Sequence, residues 1–294
     1  MQKRILGRSG LEVTVLGYGA MEIRGPSAWT GPDVGEQESE KILNAVLDSG
    51  INFIDTSPDY GLSEERIGKY ISSRRKEFFL STKCGCRPGE NKHIWTRDNL
   101  LWNIDMSLKR MKVEYVDVLQ LHNAPVEDVE AGKLVEVLQE IRDAGRTRWI
   151  GCSSVAPRLM EFVKMGCFDT FQIPYSALER RHEEQITAAA EAGCGIIIRG
   201  GVARGVVAED KEQEGGRWDM WERALLDELL DGMSRVEFML RFTNSHPHMN
   251  TNIVGTRNPE HLADNVAAAE KGPLPADIYE EAKRRLGAAG EVPL

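Results

Sequence analysis

The chain has 294 residues, 41% of them apolar and 28% charged. That is the balance of a soluble globular protein of one large or two ordinary domains. A formal net charge of −9 disfavours nucleic acid and anionic membrane surfaces as partners, and no run approaches the ~20 apolar residues a spanning helix requires.

The opening "MQKRILGRSG" carries basic residues but no apolar stretch before Gly7, so it is not expected to act as a signal peptide. "RILGRSGLEVTVLG" reads as a hairpin turning at residues 7–10. Beyond it, short runs rich in β-branched and aromatic residues alternate with longer helical patterns. The strand-like runs are 13–16, 51–56, 78–82, 116–121, 149–153, 171–174, 195–198 and 252–254. The helical patterns are 38–49, 63–73, 97–111, 129–144, 157–165, 180–192, 235–244 and 259–268. Leu134, Leu138 and Ile141 have the spacing of a buried helical face. Gly50, Gly145 and Gly193 sit just past helix ends, as C′ residues should. Strands alternating with helices imply a parallel sheet. Eight such units in a chain somewhat longer than ~250 residues fit a (β/α)8 TIM barrel, here with an N-terminal β-hairpin. A polar insertion at 206–222 follows the seventh strand, and an extra C-terminal helix covers about 275–286. With no internal linker or low-complexity tract, residues 1–294 are expected to form a single domain. An open dinucleotide-binding sheet would need G-x-G-x-x-G after its first strand. "LGYGAM" offers only Gly17 and Gly19.

Five cysteines, Cys84, Cys86, Cys152, Cys167 and Cys194, read as reduced thiols of a cytoplasmic protein. Cys84-Gly-Cys86 has the look of half a metal site. It lacks a second Cys/His pair at finger-like spacing, and small residues at a strand end explain it as well, so no metal is expected.

Functional side chains of a barrel stand at the C-terminal ends of its strands. Strand two ends in Asp55, with Tyr60 in the loop that follows. Strand three, "FFLSTK", ends in Lys83, and strand four, "VDVLQLH", in His122. Each has a simpler explanation alone: a turn-forming Asp, a solvated Lys, a hydrogen-bonded structural His, a Tyr covering the barrel mouth. Four in succession, each after an apolar run where a charge is costly, argue for chemistry. A free tyrosine titrates near 10. A nearby ammonium favours the phenolate and lowers that value, and a carboxylate keeps the ammonium charged. Such a Tyr–Lys–Asp unit is a proton donor to a developing alkoxide, with His122 placed to orient the carbonyl oxygen. It contains no hydride, which a nicotinamide cofactor would bring.

These residues resemble the aldo-keto reductase family. Its "D-T-x-x-x-Y-G-x-S/N-E" motif appears as Asp55-Thr56-Ser57-Pro58-Asp59-Tyr60-Gly61-Leu62-Ser63-Glu64. Its "S-T/K-K" strand appears as Ser81-Thr82-Lys83, and its "D-x-x-x-L-H" strand runs from Asp117 to His122. The likeness extends from "LGRSGLEVTVLGYGAM" to "IVGTRNPEHLADNV". It implies hydride transfer between NADPH/NADP+ and a small-molecule carbonyl, with Tyr60 as general acid, Lys83 its activator, Asp55 the partner of Lys83 and His122 the substrate orienter. It also implies that Ser153 and Ser154 hold the carboxamide with help from Gln172, although Ser154 stands where the family usually has Asn. Gly255, Thr256 and Arg257 would meet the adenosine 2′-phosphate at a helix N-terminus, with His261 and Asn265 on the adenine side. Arg257 is the ground for expecting NADPH rather than NADH; as a surface residue preceding a helix it has a plainer explanation.

The main departure follows strand seven. The family commonly has an aromatic residue there that stacks on the nicotinamide, whereas this chain has Arg199-Gly200-Gly201. A guanidinium can stack through its plane, and its charge would disfavour bound NADP+ or attract an anionic substrate group. Trp29, Trp95 and Trp218 or Trp221 are candidate walls of the substrate pocket, or pack their own loops. The alternative function is a non-enzymatic, cofactor-binding regulatory member of the same fold, as potassium-channel β subunits are. The expected assembly is a monomer or weak homo-oligomer.

Overall fold

The structure, a computed structural model, describes residues 1–26, 34–87, 92–208 and 214–294. Twelve strands are formed among them. In chain order they are β1 (Lys3–Ile5), β2 (Glu12–Thr14), β3 (Leu16–Gly19), β4 (Phe53–Asp55), β5 (Phe79–Cys84), β6 (Cys86–Arg87), β7 (Lys92–His93), β8 (Val116–His122), β9 (Thr147–Ser153), β10 (Thr170–Pro174), β11 (Gly195–Arg199) and β12 (Thr251–Val254). Eight of these close into a parallel barrel in the order β3-β4-β5-β8-β9-β10-β11-β12, with β12 pairing back to β3. Helices follow the barrel strands, which is the (β/α)8 architecture expected from the alternation of patterns.

The barrel strands are apolar almost throughout because both faces are covered. Outward residues such as Ile54, Leu80, Leu119 and Ile150 join the large core beneath the helices. Inward residues alternate with them, two positions apart. The lower inward layer is apolar: Phe53, Val118, Ile197 and Ile253 pack with Leu6, Leu11 and Val13 of the hairpin. Truncating a buried Phe such as Phe53 in a layer of this kind costs about 3–5 kcal/mol.

The hairpin pairs Lys3 with Thr14 and Ile5 with Glu12, and its turn covers the N-terminal end of the barrel. Gly7 (φ +50°) lies so close to Gly195, the first residue of β11, that a Cβ there would run into backbone. The hairpin thus closes the end opposite the strand C-termini.

Differences from the sequence expectation have local causes. The first barrel strand is Leu16–Gly19, not 13–16, because Glu12–Thr14 belongs to the hairpin. The apolar run continues across the join and hides it. Thr14 Oγ1 donates to the Leu16 carbonyl at 2.7 Å, where the chain changes sheets. The expected helix at 129–144 is two, Val126–Ala131 and Leu134–Asp143, separated at Gly132 and at Lys133, whose φ of +47° ends a right-handed helix. The pattern at 63–73 divides into an α-helix, Ser63–Tyr70, and a 3₁₀ stretch, Ser72–Glu77. Part of the polar insertion forms a helix, Gly216–Arg223, and the last helix spans Ala276–Ala288. Arg97–Met111 and Arg235–Asn244 match their sequence patterns.

Candidate active site

Above the apolar layer the barrel interior turns polar. Parallel register sets Asp55 beside Ser81, Lys83 beside Gln120, His122 beside Ser153, and Ser153 beside Gln172. Period-2 alternation turns Ser81 with Lys83, and Gln120 with His122, to the same face.

Asp55 is buried at the centre. Its Oδ2 accepts from Lys83 Nζ at 2.6 Å. Its Oδ1 accepts from Ser81 Oγ at 3.1 Å, Gln120 Nε2 at 3.0 Å and Gln172 Nε2 at 2.9 Å. Lys83 is fully buried and also donates to the Thr56 carbonyl at 2.9 Å. A buried ammonium is costly unless paired and hydrogen-bonded, and here it is both. Burial acts to lower the Lys83 pKa, but Asp55 and Tyr60 outweigh it and the net shift is upward. Lys83 is therefore charged at neutral pH.

Tyr60 is held by a turn in which its N–H donates to the Ser57 carbonyl at 3.0 Å, and Gly61 follows with φ +47°. Lys83 Nζ lies 4.9 Å from the centre of the Tyr60 ring. The sequence predicted a phenol made more acidic by this ammonium. Lys83 does pull the Tyr60 pKa down, but burial pushes it up more strongly and the net shift is upward. The phenol thus keeps its proton across the neutral range.

His122 meets Tyr60 edge to face, ring centres 6.2 Å apart. Its Nδ1 faces Asp59 Oδ2 at 3.2 Å, Cys86 Sγ at 3.2 Å and Ser57 Oγ at 3.4 Å. Burial pulls its pKa down to about 4 against the opposing pull of Asp59. Burial would raise the Asp59 carboxyl, but hydrogen bonds from His122, His93 and Cys86 outweigh it and hold the group well below the usual carboxylate range. His93 Nε2 reaches the same Asp59 oxygen at 3.1 Å.

Other motif residues brace the barrel. Asp117, buried at the start of β8, accepts from Arg75, Arg148 and the Leu80 N–H. Glu64, also buried, accepts from Thr82 Oγ1 at 2.8 Å and Arg110 Nη1 at 3.2 Å.

The residues assigned to the cofactor lie at the same barrel end. Ser153 Oγ donates to Gln172 Oε1 at 3.3 Å, which commits both to the Asp55 network. Ser154 is fully buried and its hydroxyl has no partner. An unpartnered hydroxyl at a strand end suits an amide group of a ligand. Arg199 ends β11, near enough to Tyr60 for its charge to act on the phenol. Beyond β12, Gly255 and Thr256 lead into the helix Pro259–Glu270, capped by Asn258 Oδ1 accepting from the Glu260 N–H at 2.9 Å. Arg257 and His261 are exposed there and Asn265 is buried. A helix N-terminus flanked by an arginine fits an anionic group. These residues fit a nicotinamide dinucleotide.

Trp95 stacks on His93, ring centres 5.5 Å apart, and so borders the Tyr60–His122 group. Trp218 and Trp221 are buried elsewhere: Arg235 lies 5.0 Å over the Trp218 ring, and Trp221 packs on Phe238 and donates to Asp227. Both pack against the helix Arg235–Asn244. Trp29 lies outside the described residues. Reading strand ends missed Ser81 and Gln120, although alternation along β5 and β8 marks them. It also missed the cluster of Asp59, Cys86, His93 and His122, because its members are scattered along the chain and match no finger-like spacing. Cys84, the other half of the Cys-Gly-Cys pattern, takes no part, and its Sγ faces the Gln120 carbonyl at 3.5 Å.

The chain resembles several known proteins over most of its length. It is 28% identical to the uncharacterized oxidoreductase YqkF of Bacillus subtilis, over 92% of this chain and 91% of that protein. It is 26% identical to the NADH-specific methylglyoxal reductase of Escherichia coli, over 74% and 73% of the two chains. The holo form of the aldo-keto reductase AKR11C1 from Bacillus halodurans superposes with a TM-score of 0.88 at 30% identity, covering 100% of this chain and 98% of that one. The sequence model of the aldo/keto reductase family matches residues 15–284. With that match spread across the barrel and its polar end, the chain belongs to the aldo/keto reductase family of oxidoreductases.

Proposed function

We propose that this protein reduces an aldehyde or ketone to an alcohol with NADPH, and that Tyr60 is the general acid. The observation that carries this is the buried chain of contacts from Asp55 to Lys83, at 2.6 Å, and from Lys83 to the face of Tyr60, at 4.9 Å. The nicotinamide, when bound, supplies the hydride.

The protein supplies the proton and the setting for its transfer. As the carbonyl oxygen gains negative charge, Tyr60 gives it the phenolic proton. Lys83 then stabilises the phenolate left behind, and Asp55 keeps Lys83 charged and in place. His122, with Nδ1 held on the Asp59 side, turns its other ring nitrogen to the substrate oxygen. Trp95 forms an apolar wall beside them.

Ser154, with Ser153 and Gln172, holds the carboxamide. Gly255, Thr256, Arg257, His261 and Asn265 hold the adenosine end, and Arg199 lies at the nicotinamide. Arg257 supports NADPH over NADH, since a guanidinium suits a 2′-phosphate. Cys84, Cys86, Cys152, Cys167 and Cys194 are unpaired thiols, which supports a reducing, cytoplasmic setting.

The test is a panel of aldehydes and ketones assayed by loss of reduced-nicotinamide absorbance, with NADPH and NADH in parallel. Turnover favouring NADPH supports the proposal. Tight cofactor binding with no turnover across the panel would favour a regulatory role, and faster turnover with NADH would overturn the assignment of Arg257.

A further inference from the structure

At the rim of the barrel, four side chains of metal-ligand type converge from four elements of the chain. Asp59 comes from the loop after β4, Cys86 from β6, His93 from β7 and His122 from the end of β8. One donor atom from each lies within 4.8 Å of every other. The resolved pairs are Asp59 Oδ2 to His93 Nε2 at 3.1 Å, Asp59 Oδ2 to His122 Nδ1 at 3.2 Å and Cys86 Sγ to His122 Nδ1 at 3.2 Å. A tetrahedral zinc site with bonds of about 2.0–2.3 Å has donor–donor edges of about 3.3–3.8 Å. Three of the six pairs are already close to such an edge, and the other three, all within 4.8 Å, close to it by a shift of about 1 Å or less in each side chain.

The arrangement is built by the fold. The antiparallel pair β6–β7 places Cys86 directly opposite His93. Gly85 precedes it with φ +95°, and a Cβ there would run into the Trp95 ring. Trp95 in turn stacks on His93 and fixes the plane of its imidazole. Cys86 is fully buried and His122 nearly so, while the His93 side chain is 35% exposed. The cluster thus has a closed inner side and an opening to solvent at His93.

We propose that Asp59, Cys86, His93 and His122 form a binding site for one divalent cation of the zinc class. Imidazole, thiolate and carboxylate are the donors zinc takes in fours. On binding, the Cys86 thiol loses its proton to solvent and the thiolate takes up the metal, and no redox change occurs. The site shares His122 with the proposed reductase centre. Without a cation, the proton on His122 Nδ1 is contested: Asp59 accepts one from it, while the Cys86 thiol and the Ser57 hydroxyl can give one to it. A cation on Nδ1 places the ring proton on the other nitrogen, the state in which His122 can donate to a substrate oxygen.

The test reads metal rather than turnover. Chelator-treated, dialysed full-length protein is titrated with Co²⁺, and then with Zn²⁺ in competition. The expected result is one equivalent of Co²⁺ with a thiolate-to-cobalt charge-transfer band, displaced by Zn²⁺. Cys86→Ser should abolish the band and Cys84→Ser should retain it. His93→Ala, a change at the exposed edge that leaves the core intact, should weaken binding about tenfold or more. Circular dichroism confirms that each variant is folded. Absence of a stoichiometric band in the wild type, or equal affinity in wild type and His93→Ala, would overturn the proposal.

Discussion

Lys83 Nζ and Asp55 Oδ2 stand 2.6 Å apart inside the barrel, both shielded from water. The two partners are not equally provided for. Asp55 has three further donors, Ser81, Gln120 and Gln172, whereas Lys83 has the Thr56 carbonyl and the Tyr60 hydroxyl, neither of which carries a counter-charge. Removing the carboxylate leaves the buried ammonium without a counter-charge and takes an acceptor from Gln120 and Gln172. Removing the ammonium leaves a carboxylate that is still hydrogen-bonded. Asp55→Ala is therefore expected to cost about 3–5 kcal/mol, and Lys83→Met distinctly less. Denaturant melts of both variants check this, and the reverse order would refute the account of the network. Both variants should lose turnover.

The upward shift of Tyr60 sets the pH profile. A tyrosine whose pKa is raised stays protonated below its ordinary value of 10. Carbonyl reduction uses the protonated form, so its rate should hold from neutral pH into the alkaline range and fall only above about 10. Alcohol oxidation uses the phenolate and should rise over the same alkaline range. Rate profiles in both directions with one carbonyl/alcohol pair measure this. A reduction rate that falls between pH 7 and 8 because of Tyr60, and is flat in Tyr60→Phe residual activity, would show that Lys83 outweighs burial.

Arg199 takes the place of an aromatic residue at the end of β11, and its charge acts on Tyr60. If the nicotinamide binds beside Tyr60 as proposed, Arg199→Tyr removes a cation from near it. A unit charge at about 10 Å in an effective dielectric of about 20 is worth about 1–2 kcal/mol, or about tenfold in affinity. The variant should bind NADP+ about tenfold better relative to NADPH, or lose preference for anionic carbonyl substrates. Titrating both cofactor forms and assaying charged and neutral aldehydes distinguishes the two. No change in either quantity would remove Arg199 from the site.

Much of this architecture was legible in the residues. The apolar runs mark the barrel strands because every strand is covered on both faces, and polar residues ending those runs mark the functional end. Alternation in Asp117–His122 separates Gln120 and His122, which face inward, from Leu119 and Leu121, which join the outer core. Other features escaped. The join between β2 and β3 carries no change in hydrophobicity. The sign of the Tyr60 shift depends on how deeply the ring is buried, which spacing does not reveal. The Asp59–Cys86–His93–His122 cluster is assembled by the β6–β7 pairing, which two-residue strands signal too weakly in sequence.

The most direct measurement is the turnover of Tyr60→Phe with NADPH and an aldehyde that the wild type reduces, alongside a fluorescence titration of NADPH binding. On the proposed mechanism, losing the phenolic oxygen removes the proton donor and leaves the proposed dinucleotide contacts in place. Turnover should drop by about 10²–10⁴-fold while NADPH affinity stays within a few fold. A variant that turns over at the wild-type rate would show that another group delivers the proton.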